Sequence, residues 1–119
     1  MAKVAIALLT GTDEREHARV FHALLYTKGL VESGQEVKLI FDGAGTGWVQ
    51  ALADPKERLN SLFTELKGSG VVAGACEFCS AHFASHESIR QAGVSLLAEC
   101  GGHPDIASLI GDGYQLVVI

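Results

Sequence analysis

The stretch "SGVVAGACEFCSAH", residues Ser69 to His82, carries the reading of the whole chain. An apolar run leads into Cys76, Cys79 follows three residues later, and a helix-compatible segment begins at Glu77. A buried strand that ends in a thiol at the start of a helix is the junction of a parallel β/α unit. The segments on either side repeat that alternation.

Upstream, "KVAIALLTGTDE" opens with an apolar run that predicts a strand buried on both faces. Asp13 and Glu16 then resemble a capping box, and Ala18, Phe21, Leu24 and Leu25 fall at helical spacing up to the stop at Gly34. "EVKLIFDGAGTGWV" predicts a second strand followed by a glycine-rich turn, with Trp48 at its rim. In "ADPKERLNSLFTELKGSG", Asp54 as N-cap, Pro55 at the first helical position and Glu57 as third residue predict a helix start. Downstream of Cys76, a helical stretch from Glu77 towards Gln91 breaks near Ser85. "GVSLLAE" is a short fourth strand, a brief helix runs through Ile106 and Leu109, and "YQLVVI" is a fifth strand. Five strands alternating with helices predict one α/β domain over residues 1–119. It is a three-layer sandwich with a mainly parallel five-stranded sheet and its ligand site at the carboxyl ends of the strands.

Composition narrows the function classes. Nearly half of the 119 residues (48%) are hydrophobic and 19% are charged, as in globular chains and unlike disordered ones. Nine basic against fourteen acidic residues give a net charge of −5. No basic stripe is present, so nucleic acid is excluded as a partner. "VAIALL" is too short to span a bilayer, and acidic residues follow it at once, so neither a membrane span nor a signal peptide is expected. Three cysteines, an odd number, argue against a disulfide framework and for a reducing cytoplasmic setting.

The candidate site is the thiol pair. At a strand-to-helix junction the free N–H groups and the helix dipole favour the thiolate, so Cys76 reads as a nucleophile or sulfur carrier. The plain alternative is a buried cysteine acting as a small hydrophobe. Cys79 completes C-x-x-C and reads either as a resolving thiol or as a core residue on the first helical turn. A rival pattern is C-x2-C-x2-H-x3-H over Cys76, Cys79, His82 and His86, with Cys100 and His103 beyond the next strand. Thiolate and imidazole together suit zinc, yet four ligands on one continuous helix cannot converge tetrahedrally. In "CGGHPD", His103 is placed either to exchange a proton with a thiolate or simply to occupy a tight turn. "FDGAGTGWV" lacks a nucleotide-binding glycine spacing, though Asp42 could face the site mouth; His17 and His22 are read as helix-surface or packing residues.

The order "LLTG", "VKLIFDGAG", "GVVAGACEFCSAH" and "AGVSLLAECGGHPDIASLIGDGYQLVVI" resembles the DsrE/DsrF-like family over essentially the whole chain. That resemblance implies a small three-layer α/β fold, assembly into homo-oligomers such as trimers or hexamers, and in several members a role in sulfur relay. In those members a cysteine at the position of Cys76 accepts sulfur as a persulfide and passes it to a partner thiol. Phe83-Ala84 stands where some sulfur-relay members carry arginine-glycine, and Cys79 is a thiol not all members share. The expectation is therefore a cytoplasmic sulfur-handling protein with Cys76, Cys79, His82 and His103 as site residues, a sulfur-donor or acceptor protein as partner, and no resident cofactor or metal. The alternative is a non-catalytic ligand- or zinc-binding oligomer using the same edge.

Overall fold

A computed structural model describes residues Met1–Ile119. Five parallel strands, β1 (Lys3–Leu8), β2 (Glu36–Phe41), β3 (Val72–Cys76), β4 (Leu96–Leu97) and β5 (Gln115–Val118), form one sheet in the order β4-β3-β2-β1-β5. Six helices connect them: α1 (His17–Glu32), α2 (Gly47–Ala53), α3 (Asn60–Gly68), α4 (Glu77–Phe83), α5 (His86–Gln91) and α6 (Ile106–Gly111). The expected α/β three-layer architecture is present, and the sheet is wholly parallel.

The strand order decides which face each helix covers. From β1 to β4 every crossover moves the same way, so right-handed connections place α1 to α5 on one face. There α1 packs on α3, and α2 packs on both α3 and α5. The return from β4 to β5 runs the other way and puts α6 alone on the opposite face. Strand alternation matches this: Val4, Ile6 and Leu8 pair in register with Val37, Leu39 and Phe41, and all six belong to the core beneath α1 to α5. Phe41 meets Phe63 of α3 edge to face at 6.0 Å. Beneath α6, a single six-residue helix leaves a trough of about 860 Å³ lined by Lys38, Ile40, Val72, Leu109 and Tyr114 among others.

Three local expectations are corrected. Asp54 does not start a helix: its carboxylate accepts from the Lys56 N–H in a turn, and Glu57 is engaged by His17 of α1 at 2.6 Å, so α3 begins only at Asn60. The glycine-rich turn after β2 leads into a helix, with Gly43 at φ 51°, but Trp48 does not stand at its rim. Asp42 caps a short 3-10 turn over Gly43–Thr46 that runs straight into α2, and Trp48 is buried, its indole N–H donating to the Gly11 carbonyl at 2.8 Å. Asp13 caps through the Arg15 N–H, while Glu16 pairs with Arg19 instead of closing a capping box. The break near Ser85 is present: Ser85 ends the gap after α4 and caps α5 by accepting from the Ser88 N–H.

Candidate functional site

Three carboxyl-end segments meet at one place. β3 delivers Cys76, Asp42 follows β2 directly, and after β4 the segment Cys100–His103 folds back on itself through reciprocal backbone hydrogen bonds of 2.8 and 3.0 Å. Gly101 and Gly102, at φ of 59° and 89°, let that turn close tightly enough to lie over Cys76. The Phe78 N–H donates to the Gly102 carbonyl at 3.0 Å and ties the turn to the start of α4.

Cys76 is the N-cap of α4 and Cys79 its third residue, the two positions whose side chains face one another in a capping box. Here the N-cap group is sulfur: Cys76 Sγ accepts from the Cys79 N–H at 3.4 Å. On its other side Cys76 Sγ lies 3.3 Å from His103 Nδ1 and 3.7 Å from the Gly102 carbonyl oxygen. The sulfurs of Cys76 and Cys79 and His103 Nδ1 all lie within 4.8 Å of one another. The Cys79 thiol donates to Asp42 Oδ1 at 3.8 Å, while the Cys79 carbonyl accepts from Thr46 at 3.4 Å. The His103 ring lies 5.1 Å from that of Phe78, tilted by 40°.

The electrostatics differ from the sequence expectation. The junction was expected to ease ionisation of Cys76, but its residue is completely buried and burial pushes the thiol up to about 12. The Cys79 N–H works against that shift, whereas the neighbouring Cys79 thiol and the Asp42 carboxylate add to it. Seven residues of helix do not offset the desolvation of a sulfur enclosed on all sides. His103 Nδ1 is nonetheless in contact with the thiol, and in the Nε2–H tautomer that nitrogen is a proton acceptor.

The structure thus joins Cys76, Cys79 and His103 and separates His82 from them. His82 stands one helical turn beyond Cys79, exposed, edge-on to Phe83 at 4.6 Å, in a shallow depression shared with Glu77, His86 and Gly101. His86 hydrogen-bonds the Glu77 carbonyl at 2.9 Å, and Cys100 is exposed outside the cluster. The four-ligand helix pattern is therefore not formed. Phe78 and Phe83 are exposed at this edge, whereas Trp48 is buried. The Thr46 contact to Cys79 had no sequence signal, because it depends on the 3-10 turn packing against α4.

The chain is thus a wholly parallel α/β domain with two thiols and an imidazole gathered at the carboxyl edge of its sheet. The chain is 31% identical over 98 residues to uncharacterized protein MJ0733 of Methanocaldococcus jannaschii, covering 82% of this chain and 78% of that protein, and it belongs to the family of that protein. Its fold is similar to the solved structure of a conserved protein of unknown function, BT1422, from Bacteroides thetaiotaomicron. The TM-score is 0.65 at 17% identity, covering 97% of this chain and 94% of that one. No protein-family model matches the chain.

Proposed function

We propose that the chain is a sulfur-handling protein that carries a persulfide on Cys76 and hands the outer sulfur to a partner thiol. The observation that carries this reading is the 3.3 Å contact between Cys76 Sγ and His103 Nδ1, with Cys79 beside them. A thiol held protonated by burial needs a base in contact at the moment it attacks, and His103 is that base. On loading, the Cys76 S–H bond breaks, its proton passes to His103, and the sulfur attacks the terminal sulfur of a donor persulfide. Cys76 gains that sulfur and the donor leaves as a thiolate, which takes back one proton. Unloading is the same exchange in reverse, with a partner thiolate attacking the outer sulfur and Cys76 leaving. The outer sulfur extends about 2 Å beyond the parent thiol. That reach carries it from the enclosed position of Cys76 towards the half-buried Cys79 and the exposed His103. The resemblance to DsrE/DsrF-like proteins supports the same assignment of Cys76.

Assembly into a homo-oligomer is part of the proposal. β5 is an edge strand on which Leu116, Val117 and Val118 are exposed, an apolar row of the kind that a second copy covers.

Intact-mass spectrometry before and after exposure to a polysulfide donor tests the carrier reading. One added sulfur, mapped to Cys76, removed by reductant and absent in Cys76→Ser, is expected. Loading that persists in Cys76→Ser, or that maps only to Cys100, overturns it.

A further inference from the structure

We propose that Cys76, Cys79 and His103 form a zinc site with three protein ligands and a fourth position open to solvent. The inference does not rest on the sulfur-handling reading: ion and persulfide would occupy Cys76 in turn, never together, since both use Cys76 Sγ and His103 Nδ1.

Convergence is the first ground. Both sulfurs and His103 Nδ1 lie within 4.8 Å of one another. The objection to the sequence pattern, that one helix cannot surround an ion, falls away because the third donor comes from the turn after β4. Spacing is the second. With Zn–S near 2.3 Å and Zn–N near 2.0 Å, a tetrahedral ion holds its S and N donors about 3.5 Å apart and its S donors about 3.8 Å apart. The observed Cys76 Sγ to His103 Nδ1 distance is 3.3 Å, close to the S–N spacing, and Cys79 Sγ lies within 4.8 Å of both. Chemistry is the third ground: two thiolates and an imidazole select zinc over the oxygen-seeking magnesium and calcium.

The surroundings fit an ion as well. The Cys79 N–H points at Cys76 Sγ, as it does for a thiolate that shares its charge with a metal. Phe78 holds the histidine turn in place through its ring and its N–H. Asp42 adds a negative charge 3.8 Å from Cys79 Sγ without belonging to the converging set. Exposure rises from the enclosed Cys76 through Cys79 to the exposed His103, which gives the ion a path in and leaves one side for water or a small anion. Binding exchanges one proton from each thiol for zinc; both protons go to solvent and no electron moves. Two thiolates balance the dication.

The test is a titration of the reduced, chelator-stripped full chain with cobalt(II) as a spectroscopic stand-in, followed by displacement with zinc. One cobalt per chain is expected, with a thiolate-to-cobalt charge-transfer band and the intense visible absorption of tetrahedral cobalt, both abolished by one equivalent of zinc. Cys79→Ser and His103→Ala should each weaken zinc binding by more than about 100-fold, the upper range for merely supporting partners. Cys100→Ser should leave it unchanged. Circular dichroism checks that the variants are folded, and the exposed His103 carries the test if the Cys79 variant does not fold. A folded wild-type protein without the charge-transfer band overturns the proposal, as does tight binding that survives His103→Ala. No sulfur donor enters this titration, so its failure and the failure of sulfur loading are separate results.

Discussion

Cys76 Sγ and His103 Nδ1, 27 residues apart in the chain, stand 3.3 Å apart at the edge of the sheet. The contact requires β3 and β4 to be neighbours and the turn after β4 to fold back over the end of β3. It also puts the only base in contact with an enclosed thiol on a separate, exposed segment.

The first consequence is a thiol order. Cys79 and Cys100 should be alkylated quickly near neutrality and Cys76 last. The rate at Cys76 should climb about tenfold per pH unit until it approaches the raised value of the thiol. Peptide-mapped alkylation over a pH series measures this, and a rate at Cys76 that is flat with pH contradicts it.

The same shift predicts alkaline destabilisation. The folded value of Cys76, about 12, lies above its ordinary value of 9.0. The associated stability is therefore complete below the ordinary value and lost as pH rises from there towards the folded one. Urea midpoints of the wild type should fall across that window, and those of Cys76→Ala should fall less. Parallel curves for the two proteins would remove this assignment.

At the acid end the pair His17–Glu57 plays the opposite part. The His17 hydrogen bond holds the Glu57 carboxyl below the usual carboxylate range, with the Leu59 N–H assisting. A lowered carboxylate contributes stability that is present above its unfolded value and lost as pH falls through the folded one. Glu57→Gln should cost about 1 kcal/mol at neutral pH and flatten the acid limb below about pH 4. Equal acid midpoints for wild type and variant would show that the pair carries no such linkage.

Gly74 should be intolerant of a side chain. A Cβ there would stand 2.6 Å from the Ser95 carbonyl oxygen, which accepts from the Ala75 N–H of β3, and 2.7 Å from the side chain of Leu97 in β4. Gly74→Ala should destabilise the protein by about 1–3 kcal/mol. It should also slow sulfur loading at Cys76, because β4 leads directly into the turn that bears His103. Chemical denaturation and loading measured on the same variant check both effects; unchanged loading would separate β4 from the site.

Copies of the chain should associate through β5. Sedimentation at micromolar concentration is expected to give more than one chain per particle, and Val118→Lys to lower that number. A wild-type protein that sediments as a monomer would show that the apolar row on β5 has another use.

Much of the fold was legible because its signals are local. Apolar runs of strand length alternate with helical spacing, and the return of the chain to a strand after each helix dictates parallel pairing. Cys76 and Cys79 were legible as a pair, since N-cap and third residue face each other in any helix start. Asp54 misled for the converse reason: its capping signal is genuine, but Glu57 serves His17 across the fold, and a tertiary partner outweighs a local preference.

What the sequence by itself determined is the α/β alternation, the strand-to-helix junction at Cys76 and the chemistry of the residues gathered there. Only the tertiary structure decided which of them meet. Strand order sets β4 beside β3, and the Gly101–Gly102 turn then lays His103 on Cys76 while helical rotation carries His82 out to solvent. Enclosure, likewise, belongs to the folded chain alone: a sulfur at a helix start is eased towards its anion by nearby N–H groups, yet burying it costs the anion more than those groups return.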